Sequence, residues 1–217
     1  MALRVAVLAS GEGSTLQAMI EARDAGTLDI EFVGLFSDKP GARAMERALA
    51  AGMPVCALSP KSFETRMEHD RALFARVERV QPELIVCAGY MRIISADVAQ
   101  RFESRMINLH PSLLPRFRGL HTHRQCIAAG DSVHGASVHW VTAELDAGQV
   151  IAQARVPVLS GDDEAALEAR VRGVERPLLL AAVRALAAGD LTPGRSQRFL
   201  DERFQLQDHE VYACATD

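Results

Sequence analysis

The sequence predicts an α/β fold: an open, mostly parallel twisted sheet of about seven strands with helices on both faces. Three observations carry that expectation. Apolar, β-branched runs alternate with helix-period segments through the first hundred or so residues. "LRVAVLAS", residues 3–10, runs into glycines at 11 and 13 and then into a helical pattern, which is a strand, turn, helix opening. "LIVCAGYM", residues 84–91, is a continuous apolar run of the kind that is buried on both faces of a parallel sheet.

Element by element, "STLQAMIEARDAG" reads as the first helix, with Ser14 or Thr15 near its start and Gly26 after it. "IEFVGLFS" is the second strand, "GARAMERALAAG" the second helix and "PVCAL" a short third strand. A helix covering "SFETRMEHDRALFARVERV" leads through Pro82 to the fourth strand, "LIVCAGYM". A short helix near "SADVAQRF" precedes the strand "RMINLH", and "HRQCIAAG" is a further helix. "HGASVHWV" and "QVIAQARVPV" read as two more strands, and Asp162 and Asp163 open a long helix extending to about Ala188. Ligands of such sheets lie beyond the carboxyl ends of the strands, near a topological switch point.

Composition narrows the partners. A chain of 217 residues with 48% hydrophobic content is long enough to bury a core. No apolar stretch reaches the roughly 18 to 20 residues of a membrane span. The net charge of −4 argues against broad binding to nucleic acid or anionic membrane, so a small-molecule partner is expected. Cys56, Cys87, Cys126 and Cys214 show no CxxC spacing, which suits reduced thiols in the cytoplasm.

"ASGEGSTLQ" brings two glycines and two hydroxyls between a strand and a helix, where backbone amides and the positive helix end could hold an anion. Phosphate is the natural guest, although a tight turn capped by Ser14 would use the same residues. A dinucleotide fingerprint would need glycine at Leu16, and no Gly-Lys-Ser/Thr of a P-loop is present.

Polar residues then gather late in the chain. Five of the seven histidines, His110, His121, His123, His134 and His139, fall within one thirty-residue stretch. No HExxH occurs, and the pair at 121 and 123 does not share a helix face, so no metal site is expected. His110 stands out because it ends a strand two residues after Asn108 and just before Pro111, so both side chains project the same way at the strand tip. Glu144 and Asp146 lie in a loop between two strands, as turn residues or as functional acids. If that loop folds back over His110, Asp146 could orient the imidazole and favour its protonated form. Ser112 follows too closely to be an obvious nucleophile, and no GxSxG elbow exists. An amide, an imidazole and an acid without a nucleophile suit oxyanion stabilisation and proton transfer between two bound substrates. His139 is left open between a partner of this group and a packed core residue.

Taken together, "GEGSTLQA", "AGYMRII", "NLHPSLLPRFRGLHTHRQ" and "GASVHWVTAELDAGQVIAQ" resemble the phosphoribosylglycinamide formyltransferases, folate-dependent enzymes of purine synthesis with a Rossmann-related fold. The resemblance runs from about residue 3 to 180. It implies Asn108, His110 and Asp146 as the catalytic trio, with no metal. It implies that Gly13, Ser14 and Thr15 hold the phosphate of glycinamide ribonucleotide, with Gly89, Met91, Pro111 and Glu175 nearby. The co-substrate 10-formyltetrahydrofolate would lie against Arg92, Ile93, Ile94 and the loop Val141, Thr142, Ala143, Glu144, Leu145 and Asp146, with Arg66 near its glutamate tail. On this reading residues 1–217 form a single formyltransferase domain: a ribonucleotide phosphate-binding half (1–100), a catalytic and folate-binding half (101–190) and a C-terminal tail (191–217). The protein would be cytoplasmic, a monomer or homodimer.

Two positions depart from the family's pattern. Thr15 stands where Asn is frequent, and Ala143 replaces a carboxylate in the Thr-Asp-Glu-Leu-Asp loop. Pro115-Arg116-Phe117-Arg118-Gly119 looks more like methionyl-tRNA formyltransferase, but that enzyme's extra tRNA-binding domain exceeds the thirty or so residues after the long helix. Formyltetrahydrofolate hydrolase is a related enzyme, but it carries an additional N-terminal domain, whereas the first strand here starts at residue 3. A noncatalytic nucleotide-binding module could use the glycine loop, yet it would have no reason to combine Asn108, His110 and Asp146.

Overall fold

A computed structural model describes residues 1–190 and the backbone of two short strands, Gln205–Leu206 and His209–Tyr212. The rest of the C-terminal tail, Cys214 included, lies outside the described residues. The contacts divide the chain into two compact units, Met1–Asn108 and Leu109–Asp217.

In the first unit β1 (Leu3–Leu8), β2 (Ile30–Ser37), β3 (Val55–Ala57), β4 (Leu84–Cys87) and the start of β5 (Met106–His110) lie side by side in the order β3-β2-β1-β4-β5. Every pairing is parallel. Val5 to Leu8 and Ile85 to Val86 are wholly buried, as continuous apolar strands between covering helices must be. The helices are α1 (Ser14–Asp24), α2 (Arg43–Ala50), α3 (Arg66–Arg79) and α4 (Ala96–Arg101). Because β1 has β2 on one side and β4 on the other, the strand order reverses at its carboxyl end, and the glycine loop leaves from there.

Two boundaries differ from expectation. The apolar run from Leu84 stops being strand at Cys87, because the chain turns at Gly89 with φ +79°. The third helix begins at Arg66: Pro60–Ser62 is a separate 3₁₀ turn, and Thr65 caps α3. The Thr65 hydroxyl accepts from the Glu68 amide while the Glu68 carboxylate accepts from the Thr65 amide.

The second unit holds the end of β5, α5 (Thr122–Ala129), β6 (Val133–Trp140), β7 (Val150–Pro157) and α6 (Glu164–Ala187). β6 and β7 run antiparallel, and α6 packs on both through Leu167, Val171, Val174 and Leu178. Gly135 is required here, since a Cβ would stand 1.9 Å from the Ala154 carbonyl oxygen. Beyond α6, β8 (Gln205–Leu206) pairs with β9 (His209–Tyr212), and β9 adds antiparallel to β7. The α/β class, with a mostly parallel set of seven strands up to residue 157, is the one predicted. Among the described residues no helix is long and apolar enough to cross a membrane.

Candidate active site

β5 delivers the strand-tip pair. Asn108 is half-buried and His110 is 5% exposed, with Pro111 following at once. In the second unit the β6–β7 loop folds back so that Asp146 Oδ2 stands 3.4 Å from His110 Nδ1. Asp146 adopts a left-handed backbone, φ +48°, which a short polar side chain tolerates better than most. Its carboxylate also accepts from the Gly119 amide at 3.0 Å and lies 3.5 Å from His139 Nε2. His139 Nδ1–H donates to the Trp140 carbonyl at 2.9 Å, so His139 is both packed, at 2% exposure, and a partner of the acid.

The electrostatics correct one expectation. Burial lowers the His110 pKa, and although the Phe117 carbonyl and the Asp146 charge oppose this, the net direction is down. His110 is therefore neutral near pH 7 in this structure rather than held protonated. Its Nε2–H donates to the Phe117 carbonyl at 2.9 Å. Burial alone would raise Asp146, but the His139 bond, the electrostatic preference of the adjoining His110 ring for an ionised acid and the Gly119 amide outweigh it, and the carboxyl lies below the usual range. Asp146 is thus firmly ionised beside a neutral imidazole.

The two loops hold each other. Arg118 pairs with Glu144 at 2.7 Å, and Thr142 Oγ1 donates to the Glu144 carbonyl at 3.1 Å, so the loop closes with Ala143 in place of a carboxylate. Gly148 is forced at its base, where a Cβ would meet the Trp140 carbonyl oxygen at 1.8 Å. Behind them Ser137 Oγ donates to the Ser112 carbonyl at 2.6 Å, and Gln153 Nε2 donates to the Leu114 carbonyl at 2.8 Å and to Ser137 Oγ at 2.9 Å. Ser112 is fully buried with its hydroxyl given to the Arg116 carbonyl, which leaves it no role as a nucleophile. His134, pushed down to about 4 by burial and by the neighbouring His123, meets His123 Nδ1 at 3.1 Å. Glu175 is half-buried on α6, and burial raises its carboxyl.

In the first unit the glycine loop ends at Gly13, the N-cap of α1, with φ +68°. A Cβ there would come within 2.7 Å of Ala44, so glycine alone lets α2 approach. No side chain caps α1 and no acidic residue occupies its first turn, so the amide-rich start that includes Ser14 and Thr15 keeps its positive potential. Gly89 and Met91 come next to this loop through Ser10, whose amide donates to the Gly89 carbonyl at 3.0 Å and whose hydroxyl accepts from the Met91 amide at 2.9 Å. Met91 and Ile93 are 74% and 52% exposed, apolar side chains in the segment that follows the carboxyl end of β4. Arg92 and Ile94 between and after them are half-buried, and Arg66 is exposed at the start of α3.

Sequence reasoning missed the partners that are backbone groups, the Phe117 carbonyl and the Gly119 amide, and it missed Ser137 and Gln153. The Arg-Phe-Arg-Gly stretch was a usable sign for the first two, because a glycine among charged residues marks a turn.

Comparison with known proteins gives the family. The family model described as formyl transferase matches residues 3–183, and the chain belongs to that family. It is a one-carbon group transferase. Among its relatives, the phosphoribosylglycinamide formyltransferase of Escherichia coli (strain K12) is 41% identical over 199 residues, covering 92% of this chain and 94% of that protein. The trifunctional purine biosynthetic protein adenosine-3 of Drosophila pseudoobscura pseudoobscura is 43% identical over 190 residues, 87% of this chain but only 14% of that longer protein. The crystal structure of glycinamide ribonucleotide transformylase 1 from Symbiobacterium toebii superposes with a TM-score of 0.84 at 36% identity, covering 90% of this chain and 92% of that one.

Proposed function

We propose that this enzyme transfers the formyl group of 10-formyltetrahydrofolate to the amine of glycinamide ribonucleotide in purine biosynthesis. The contact of His110 with Asp146, in a loop pinned by the Gly119 amide, is the observation that carries this reading. The amine attacks the formyl carbon, and the carbonyl oxygen becomes an oxyanion for which Asn108 and His110 supply donors. His110 starts neutral and takes up the proton that the attacking nitrogen loses, so the imidazolium forms where the Asp146 charge already stands. The imidazolium then gives that proton to the departing folate nitrogen as its bond to the formyl carbon breaks. No metal enters these steps.

Gly13, Ser14 and Thr15 would hold the ribonucleotide phosphate, with Gly89, Met91, Pro111 and Glu175 along the rest of it. The folate would contact Arg92, Ile93, Ile94 and residues Val141 to Asp146, with Arg66 toward its glutamate tail. The enzyme would act in the cytoplasm, as a monomer or homodimer, without nucleic acid or membrane. The test is an assay of purified protein with 10-formyltetrahydrofolate and glycinamide ribonucleotide, against charged initiator tRNA and water as competing acceptors. Transfer to the small ribonucleotide alone is expected; hydrolysis or tRNA formylation in its place would overturn the assignment. Ser14→Ala with Thr15→Val should raise KM for the ribonucleotide, and an unchanged KM would remove the phosphate cradle.

A further inference from the structure

The segment Gly89–Ser95 leaves β4 with a backbone amide held near each end by a side chain of another element. Met91 N–H donates to Ser10 Oγ at 2.9 Å, and the Ser10 hydroxyl donates in turn to Asp38 Oδ1 at 2.5 Å. Ser95 N–H donates to Asp70 Oδ2 at 2.8 Å. Asp70 Oδ1 faces His69 Nδ1 at 3.1 Å, and His69 Nε2–H donates to the Leu58 carbonyl at 3.0 Å. Ser10, Asp38, His69 and Asp70 are all buried, at 2%, 4%, 0% and 0% exposure. Each acceptor is thus itself fixed by a second bond inside the core, which is what makes a side chain a rigid reference point.

Between the two anchored amides the segment is neither helix nor strand. Met91 and Ile93 are exposed, while Arg92 Nε between them, and Tyr90 Oη just before, are buried without a hydrogen-bond partner among the described residues. The backbone bonds from Ser10 and Asp70 are the polar ties that set where these side chains stand. One tie acts at Met91, beside Gly89 and the glycine loop. The other acts at Ser95, next to Ile94.

We infer that Ser10–Asp38 and His69–Asp70 are two separate clamps on this segment, the first positioning the ribonucleotide contacts and the second positioning the folate contacts. The inference rests on the proposed assignment of Gly89 and Met91 to one substrate and of Arg92 to Ile94 to the other. None of the four residues is placed against substrate; they are positioning residues, and their signature is selectivity between the two Michaelis constants.

The test is steady-state kinetics on purified variants, with each substrate varied at saturating concentrations of the other. Ser10→Ala, which removes both the tie to the Met91 amide and the bond to Asp38, should raise KM for glycinamide ribonucleotide by roughly five- to tenfold or more, and leave KM for 10-formyltetrahydrofolate within about twofold. Asp70→Ala should do the reverse. Asp38→Asn and Asp70→Asn keep an acceptor oxygen, and both should hold the two constants within about twofold. Both constants rising together, or neither moving, would overturn the inference, since a general loosening of the unit makes no distinction between substrates. Should Asp70→Ala not fold, amide hydrogen exchange on the unaltered protein decides. Met91 and Ser95 amides should exchange at least about tenfold more slowly than those of Arg92 and Ile93, and fast exchange at either removes that clamp. An unaltered enzyme that formylates no ribonucleotide would refute the proposed function, and the exchange pattern would then show whether the clamps exist without it.

Discussion

Each unit of the molecule sets histidine between a backbone carbonyl and an aspartate, and His69 in the first and His110 in the second stand in different surroundings. His69 gives Nε2–H to the Leu58 carbonyl at 3.0 Å and presents Nδ1 to Asp70 at 3.1 Å; His110 gives Nε2–H to the Phe117 carbonyl at 2.9 Å and presents Nδ1 to Asp146 at 3.4 Å. The first pair are chain neighbours on α3, with both side chains at 0% exposure. The second pair come from a strand tip and a loop, at 6% and 8%, and the loop residues around it include Phe117 and Asp146 at positive φ. An imidazole beside a carboxylate is therefore no sign of catalysis in itself. The sealed pair has ordinary hydrogen-bond lengths and spends its second carboxylate oxygen on the Ser95 amide; the other pair is at the long end and is bordered by loops, as catalytic contacts are before substrate tightens them.

The largest effect that could break this contrast is on turnover. His110→Ala should lower kcat by about a thousandfold or more, combining the loss of an oxyanion donor with that of a proton carrier. Asn108→Ala should lower it by roughly a hundredfold to a thousandfold, with little change in ribonucleotide KM. Asp146→Asn keeps an acceptor for the Gly119 amide but removes the charge that favours the imidazolium, so kcat should fall by about a hundredfold. Single-turnover rates measured on the three variants check the ranking, and a wild-type rate in Asn108→Ala would defeat the oxyanion assignment.

The sealed pair should answer the opposite way. His69→Phe keeps a ring against Phe63, which His69 meets edge-on at 5.4 Å, but it leaves the Asp70 carboxylate buried without its imidazole. Breaking a buried pair from one side costs about 3 to 5 kcal/mol, so a marked loss of stability in urea is expected, with kcat per folded molecule within a few-fold of the original. A variant that kept its stability and lost turnover as His110→Ala does would erase the distinction between the pairs.

Why one pair was legible in the sequence and the other was not follows from the same difference. Asn108 and His110 announce themselves because two polar groups at alternate positions end an apolar strand, a pattern packing alone does not need. Asp146 was legible only as a loop acid, since its approach to His110 depends on how the β6–β7 loop folds. His69 and Asp70 sit in a charged helical stretch, "RMEHDRALFARVER", where adjacent polar residues read as solvated surface. The Phe117 carbonyl and Gly119 amide leave no trace in residue type, because every residue but proline carries both groups. β6 and β7, as two apolar runs, and the βαβ rhythm of the first unit were readable from the sequence pattern. The start of α3 was readable too, in the Thr-x-x-Glu spacing at 65–68, but the apolar periodicity extended past it.

A smaller effect sharpens the contrast through pH. In the second unit burial lowers His110, His123 and His134, the last to about 4. An unfolded histidine titrates near 6.5, so between that value and the lower folded value the unfolded chain binds more protons. Stability contributed by these neutral imidazoles is complete above about pH 7 and is lost as the pH falls toward about 4. For His134 alone the displacement corresponds to about 3 kcal/mol at most. The urea midpoint should therefore fall between pH 7.5 and pH 5, and His134→Gln, which cannot take up the proton, should flatten that fall while lowering the midpoint at pH 7.5. Equal slopes for the two proteins would mean that the buried imidazole of β6 does not carry the acid sensitivity. A fall shared equally by both proteins would belong to His110 and His123, whereas a midpoint steady down to about pH 5 would leave Asp146, whose lowered carboxyl loses its contribution only as the pH drops below its ordinary carboxylate value.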